Sequence, residues 1–261
     1  MKYFLSMLIF LSSITYSIAQ DYTKLYEGKV FSVKDAALPY RIMYPKNFNP
    51  KQKYPLIILL HGAGERGSDN LKQLTHGASM FASDSIRDKY PAIVIFPQCD
   101  ISSYWANVKI NQDDKGFRSF QFFPEGNPTP PMELLVKFVK SISKEKYVDK
   151  NRIYVGGLSM GGMGTFELLY RLPKVFAAAF PICGGSSPDV AKKYAKKVKL
   201  WIFHGEMDEV VSVEYSKQMH KAILSNGGEA KLTLYPFVNH NSWENAFGEP
   251  DLMPWLFSIK K

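Results

Sequence analysis

Residues 152–164 read RIYVGGLSMGGMG. A β-rich run at 152–155 ends on Gly156 and Gly157, and Ser159 stands two residues further on, ahead of Gly161, Gly162 and Gly164. Gly157-Leu158-Ser159-Met160-Gly161 fits the pattern G-x-S-x-G. Five residues alone are a weak signal, because glycine-rich turns arise by chance. Between a strand and a helical segment the pattern is much stronger, because it has a physical purpose. Small neighbours let the chain reverse tightly enough to push a serine oxygen clear of the backbone. The helix predicted next, over 163–172, aims its N-terminus at the same point and favours negative charge developing there.

Outward from this turn the chain repeats the same alternation. Apolar runs at 55–60 (PLIILL), 92–96 (AIVIF), 177–182, 199–203 (KLWIF) and 231–235 lack polar alternation, as strands covered on both faces do. Helical spacing is predicted at 71–83, at 131–144 with a Pro at its start, at 213–226 before Gly227-Gly228, and at 253–259. Residues 25–44 alternate roughly and suit an antiparallel edge of the same sheet. The expected fold is α/β, a mostly parallel central sheet with helices on both faces, in one domain over 20–261. Residues 98–130 are rich in Asn, Asp, Gly, Pro and aromatics, show no period, and read as a loop over the site.

In such a sheet reactive groups collect beyond the carboxyl ends of the strands. A serine needs a base. Of the five histidines, His61 and His204 each precede a Gly at a strand end, and His76 and His220 fall in helical patterns. His240 lies in a loop after the last strand and before the last helix, which makes it the candidate base. An orienting acid is expected between Ser159 and His240. Asp208, in HGEMDEVV (204–211), is the choice over Glu206 and Glu209. It would hold the imidazole in one tautomer and stabilise the imidazolium. An oxyanion would need two donors. The backbone N–H of Met160 is one, and the loop HGAGERG (61–67) supplies the other, Ala63 ahead of Gly64. His61 is then left a structural role, fixing that loop by hydrogen bonds.

The 261 residues are 46% hydrophobic and 22% charged, the make-up of a globular chain. Lys2, the apolar stretch at 4–14 and Ser17-Ile18-Ala19 read as a signal peptide over 1–19, too short to span a bilayer comfortably. Without Lys2 the formal charge of +9 becomes +8 (9 − 1). Lys192, Lys193, Lys196, Lys197 and Lys199 crowd one segment without interleaved aromatics, so a solvated helix face is expected rather than a nucleic-acid partner. Cys99 and Cys183 have no His at metal-ligand spacing; no metal or organic cofactor is implied. Export makes a disulfide between them permissible, and the sequence leaves their pairing open.

LLHGAGERG, GLSMGG, HGEMDEVV and NHNSW, in this order, resemble the α/β-hydrolase superfamily, and within it the phospholipase/carboxylesterase, dienelactone hydrolase and feruloyl or polyhydroxybutyrate esterase group. The resemblance implies a serine esterase with Ser159, Asp208 and His240 as its triad. It also implies that Pro97-Gln98-Cys99 with Trp105, and Cys183 to Gly185, border the pocket. Trp105, Glu65 and Arg66 are the expected substrate contacts. Where a Pro commonly follows the second Val of the acid loop, Ser212 stands here. Tyr104, Trp105, Phe117, Phe120, Phe122 and Phe123 offer an aromatic lining, or else pack the loop down. The expected substrate is a small-molecule or polysaccharide ester, such as acetate or ferulate on plant polysaccharide, met outside the cytoplasm. A prolyl-oligopeptidase-type serine peptidase, a polyester depolymerase and a non-catalytic carbohydrate-binding protein are the rival readings.

Overall fold

The computed structural model describes residues 22–261; the expected signal segment at 1–19 lies outside the described residues. The strands are β1 (Glu27–Val33), β2 (Ala36–Met43), β3 (Tyr54–Leu60), β4 (Ile93–Pro97), β5 (Val108–Gln112), β6 (Arg118–Phe122), β7 (Val148–Leu158), β8 (Ala178–Ile182), β9 (Lys199–Gly205) and β10 (Ala230–Tyr235). The helices are α1 (Ala78–Ala82), α2 (Asp84–Lys89), α3 (Pro130–Ile142), α4 (Met160–Arg171), α5 (Val213–Ser225), α6 (Trp243–Phe247) and α7 (Leu252–Ser258). Eight strands form one sheet in the order β1-β2-β4-β3-β7-β8-β9-β10. From β4 to β10 every neighbouring pair is parallel, and β1 and β2 add the antiparallel edge expected at 25–44.

The uninterrupted apolar runs are explained by cover on both faces. In β3, Leu56, Ile58 and Leu60 pack with Phe138 of α3 and Phe166 of α4, whereas Ile57 and Leu59 pack with Phe81 of α1 and Leu256 of α7. Alternate side chains enter opposite cores, so neither can be polar. Local chemistry sets the helix starts. Thr129 caps α3 by accepting from the Met132 N–H, with prolines in its first turn, and Ser212 caps α5 by accepting from the Glu214 N–H.

Three expectations are corrected. The helix at 71–83 does not form as one piece: a 3-10 turn at Lys72–Leu74 is followed by Gly77 at φ +80, a left-handed conformation that ends the segment before α1 begins. Helix 163–172 starts three residues earlier, at Met160, directly behind the serine. Residues 98–130 are not structureless: β5 and β6 pair as an antiparallel hairpin. The five crowded lysines are solvent-exposed as expected, although the segment holds a 3-10 helix (Pro188–Lys193) and not a longer one. Cys99 and Cys183 are both buried and free. Among the described residues no helix is long and apolar enough to cross a membrane.

Candidate active site

β7 runs straight into the serine turn. Ser159 has φ 53 and ψ −116, a conformation that costs a non-glycine residue about 1–3 kcal/mol. Its neighbours over-determine it: the Ser159 N–H donates to the Ile182 carbonyl at 2.9 Å, and the Ser159 carbonyl accepts from the Met163 N–H at 3.0 Å. Gly161 lets α4 sit directly on the end of β3, where a Cβ would run into the Leu60 carbonyl. The hydroxyl is thereby presented at the carboxyl end of the central strand.

The candidate acid arrives from the end of β9. Asp208 Oδ1 accepts from the backbone N–H groups of Val210 at 2.9 Å and Val211 at 2.8 Å. Its Oδ2 accepts from His240 Nδ1 at 2.7 Å and lies 3.1 Å from His204 Nε2. Burial pushes the Asp208 carboxyl upward, but the hydrogen bonds from His204 and His240 outweigh it and hold the group well below the ordinary carboxylate range. Glu206 and Glu209, the competitors, are exposed. The candidate base, His240, sits in the turn after β10, where Asn239 Oδ1 accepts from the N–H groups of both Glu209 and His240 and so ties the loop of Asp208 to that of His240. His240 Nε2 lies 2.9 Å from Ser159 Oγ. With Nδ1–H donated to the carboxylate, Nε2 carries the lone pair and accepts from the serine hydroxyl.

Behind β3, His61 is 2% exposed; its Nδ1 donates to the Gly62 carbonyl at 2.6 Å and its Nε2 accepts from the Cys99 N–H at 2.9 Å. Burial pushes its pKa down to about 4. The loop so fixed begins a 3-10 turn at Ala63, and Met160 is the first residue of α4. Backbone N–H groups at such first positions have no intrahelical acceptor. Ala63 and Met160 both line a cleft of ≈ 310 Å³ that also exposes Ser159 and His240.

The expected substrate contacts divide. Glu65 lines the cleft, with Oε1 3.7 Å from His76 Nε2 and Oε2 buried without a hydrogen-bond partner. Trp105 does not line it. The indole is fully buried and donates to the His61 carbonyl at 3.2 Å, because a buried ring N–H needs an acceptor and the loop carbonyl is the one within reach. Arg66 is likewise spent inside the wall: it donates to the Ala63 and Ser103 carbonyls at 2.9 and 3.1 Å and lies over the Tyr104 ring. Of the loop aromatics only Tyr104 and Phe120 line the cleft, while Phe117 and Phe123 face solvent. Trp243, His204 and Arg118 were not singled out by sequence as part of the site. Trp243 and Arg118 line the cleft, and NHNSW already placed the indole three residues after the base.

The hairpin that brings Arg118 and Phe120 to the cleft is pinned from two sides. Tyr215 OH accepts from the Phe120 N–H at 2.9 Å, and Glu167 accepts from the Asn107 N–H at 2.6 Å while pairing with Arg171. Burial raises the Glu167 carboxyl. Among the described residues, Cys183, Asp208 and His240 bring three ligand-type atoms within 4.8 Å of one another. The Asp208 oxygens are already filled by four donors, and burial pushes the Cys183 thiol well above its ordinary value, so this set suits a proton relay better than a cation. A hydroxyl, an imidazole and a buried carboxylate in series, with free N–H groups alongside, can carry out acyl transfer.

The family model for phospholipase/carboxylesterase matches residues 47–249. A bifunctional acetylxylan esterase/xylanase of Neocallimastix patriciarum is 26% identical over 172 residues, 65% of this chain and 21% of that protein. A putative dipeptidyl aminopeptidase of Schizosaccharomyces pombe is 24% identical over 249 residues, 85% of this chain and 27% of that one. The chain therefore spans only about a fifth to a quarter of the length of these relatives. The crystal structure of a thermostable esterase superposes with a TM-score of 0.81 at 33% identity, covering 92% of this chain and 64% of that one.

Proposed function

The chain belongs to the phospholipase/carboxylesterase family, and on that premise we propose that it is a serine carboxylic-ester hydrolase working through an acyl-enzyme on Ser159. The observation that carries the proposal is the unbroken relay from Ser159 Oγ to His240 Nε2 at 2.9 Å and from His240 Nδ1 to Asp208 Oδ2 at 2.7 Å. His240 takes the hydroxyl proton as Oγ attacks the carbonyl carbon, and the resulting oxyanion is held by the N–H groups of Ala63 and Met160. Collapse expels the alcohol, which takes the proton back from His240. Water then repeats the sequence on the acyl-enzyme and returns Ser159 free. Asp208 stays ionised throughout, because its hydrogen bonds hold its carboxyl far below neutrality.

For the substrate we propose acetyl or feruloyl esters of plant polysaccharide, acted on outside the cytoplasm. The acetylxylan esterase relative supports the acetyl reading. The cleft supports a sugar ester: Tyr104, Phe120 and Trp243 offer ring faces, and Glu65 offers an acceptor for hydroxyls. The test is a panel of acetylated xylan, methyl ferulate, p-nitrophenyl acetate, dipeptide anilides and polyester film, with Ser159→Ala as control and fluorophosphonate labelling alongside. Turnover of the first three, lost in Ser159→Ala, is expected. Preference for the anilides would move the protein to the peptidases, film clearing would make it a depolymerase, and absence of labelling would end the serine-hydrolase reading.

A further inference from the structure

We propose that His204 is a positioning residue for this triad, a second imidazole that fixes the plane of the Asp208 carboxylate before His240 docks on it. The proposal rests on the serine-hydrolase reading above and names a residue that the relay as described does not use. His204 is fully buried on β9, four residues before the acid. Its Nε2 lies 2.8 Å from the Val211 carbonyl oxygen and 3.1 Å from Asp208 Oδ2. Both neighbours only accept, so this nitrogen must carry a proton. On the other side Nδ1 lies 2.7 Å from Ser216 Oγ, which itself lies 3.1 Å from the Gly184 carbonyl. A hydroxyl can give or take, so the Nε2–H is fixed whichever way Ser216 turns.

The carboxylate consequently has four donors, and three of them belong to its own segment: the N–H groups of Val210 and Val211 on Oδ1 and the ring of His204 on Oδ2. Rotation about the last bond of an aspartate is soft. Two donors on Oδ1 fix one oxygen, and the third stops the twist of the other. The remaining lone pair of Oδ2 is then aimed at His240, which comes from a different loop. The other groups facing this pair are Cys183 from the turn after β8, Ser159, and Trp243 against the His240 ring, with Glu65 and Arg118 the charged residues of the cleft and His76, beside Glu65 and against Trp243, a further titratable one.

The experiment compares two uncharged amides at one position, so none of those neighbours changes. The amide of His204→Gln reaches where Nε2 donates to Asp208. That of His204→Asn reaches only the Ser216 side. His204→Gln is expected to recover kcat/KM to within about threefold of wild type, whereas His204→Asn loses about 10- to 100-fold, the worth of one hydrogen bond to a charged group. The loss falls on kcat and not KM, because Asp208 does not touch substrate. The acid limb of the kcat/KM profile moves to higher pH in His204→Asn alone, since an N–H dipole has been withdrawn from the carboxylate that faces the imidazolium. Equal behaviour of the two variants at matched melting temperature, or a fully active His204→Asn, overturns the proposal. Each protein is also reacted with a fluorophosphonate, whose rate on Ser159 needs the triad but no particular ester. If wild type fails to react, the hydrolase reading falls and takes this proposal with it. If wild type reacts and the variants do not separate, the positioning role alone is wrong.

Discussion

Acid should destabilise this protein through His61 in a way that a single substitution can isolate. The ring is 2% exposed and held as a neutral tautomer, with Nδ1–H given to the Gly62 carbonyl and the Nε2 lone pair taken up by the Cys99 N–H. A proton on Nε2 would set two donors against each other in a site buried from solvent. The folded pKa is about 4, against 6.5 for a free histidine. Between those values the unfolded chain binds a proton that the folded chain refuses, so stability falls as pH drops through the window and loses nothing further from this group below it. Integration gives a loss of about 2 kcal/mol by pH 5 and about 3 kcal/mol by pH 4, relative to pH 8. His61→Gln cannot titrate. Urea unfolding of both proteins, followed by tryptophan fluorescence at constant ionic strength, should show the stability advantage of wild type shrinking by about 2 kcal/mol between pH 8 and pH 5. Parallel stability curves would refute the reasoning, because contributions common to both proteins cancel in the difference.

Ser159→Ala is expected to lower kcat by about 10⁴- to 10⁶-fold without moving the urea midpoint. Ser159→Gly, equally inactive, should unfold at higher urea than wild type by about 1 kcal/mol, because glycine tolerates φ 53 and ψ −116; an unchanged or lower midpoint contradicts the strain assigned to this turn. Asp208→Asn should cut kcat by about 10⁴-fold with KM little altered, by letting His240 adopt the wrong tautomer; a loss confined to KM would deny the acid its role. Tyr215→Phe removes the hydroxyl that holds the Phe120 backbone, and steady-state kinetics should show KM raised by about 2- to 10-fold with kcat nearly constant.

What was legible in the sequence follows from where side chains are forced. β3, β4, β8 and β9 are buried on both faces and leave uninterrupted apolar runs, so their positions could be read directly. Ser159 was legible because its turn tolerates few residue types, and Asp208 and His240 because each stands in the loop that follows a strand, in the right order. The helix expected at 71–83 failed on Gly77, whose positive φ is required where its missing Cβ makes room for the Phe247 ring, a contact 170 residues away in sequence that no local pattern carries. Trp105 failed for a related reason. An aromatic residue in a loop looks the same whether it lines a cleft or supports its wall, and only the His61 carbonyl decides which. In the β5–β6 hairpin β5 was illegible because alternation has no meaning when both faces meet solvent: Lys109, Ile110, Asn111 and Gln112 are all exposed, and only Phe120 and Phe122 of β6 turn toward the body.

The same distinction explains why chemistry could be read and specificity could not. The relay deepens from the half-buried serine, through an imidazole 18% exposed, to a carboxylate wholly out of water. A charge at that depth survives only with every lone pair filled, and the four donors to Asp208 come from the strand end and turns that the core itself sets. The outer wall of the cleft is built differently. Arg118 and Phe120 ride on a hairpin with little core of its own, tethered by Glu167 across 60 residues and by Tyr215 across 95. Such a segment opens at far lower free energy than the sheet, and its outward side chains can change at little cost to folding. Under the proposed function, substrate preference would fall to the part of the molecule whose sequence is least constrained by the fold, which is why the composition of 98–130 pointed to a site without revealing what the site holds.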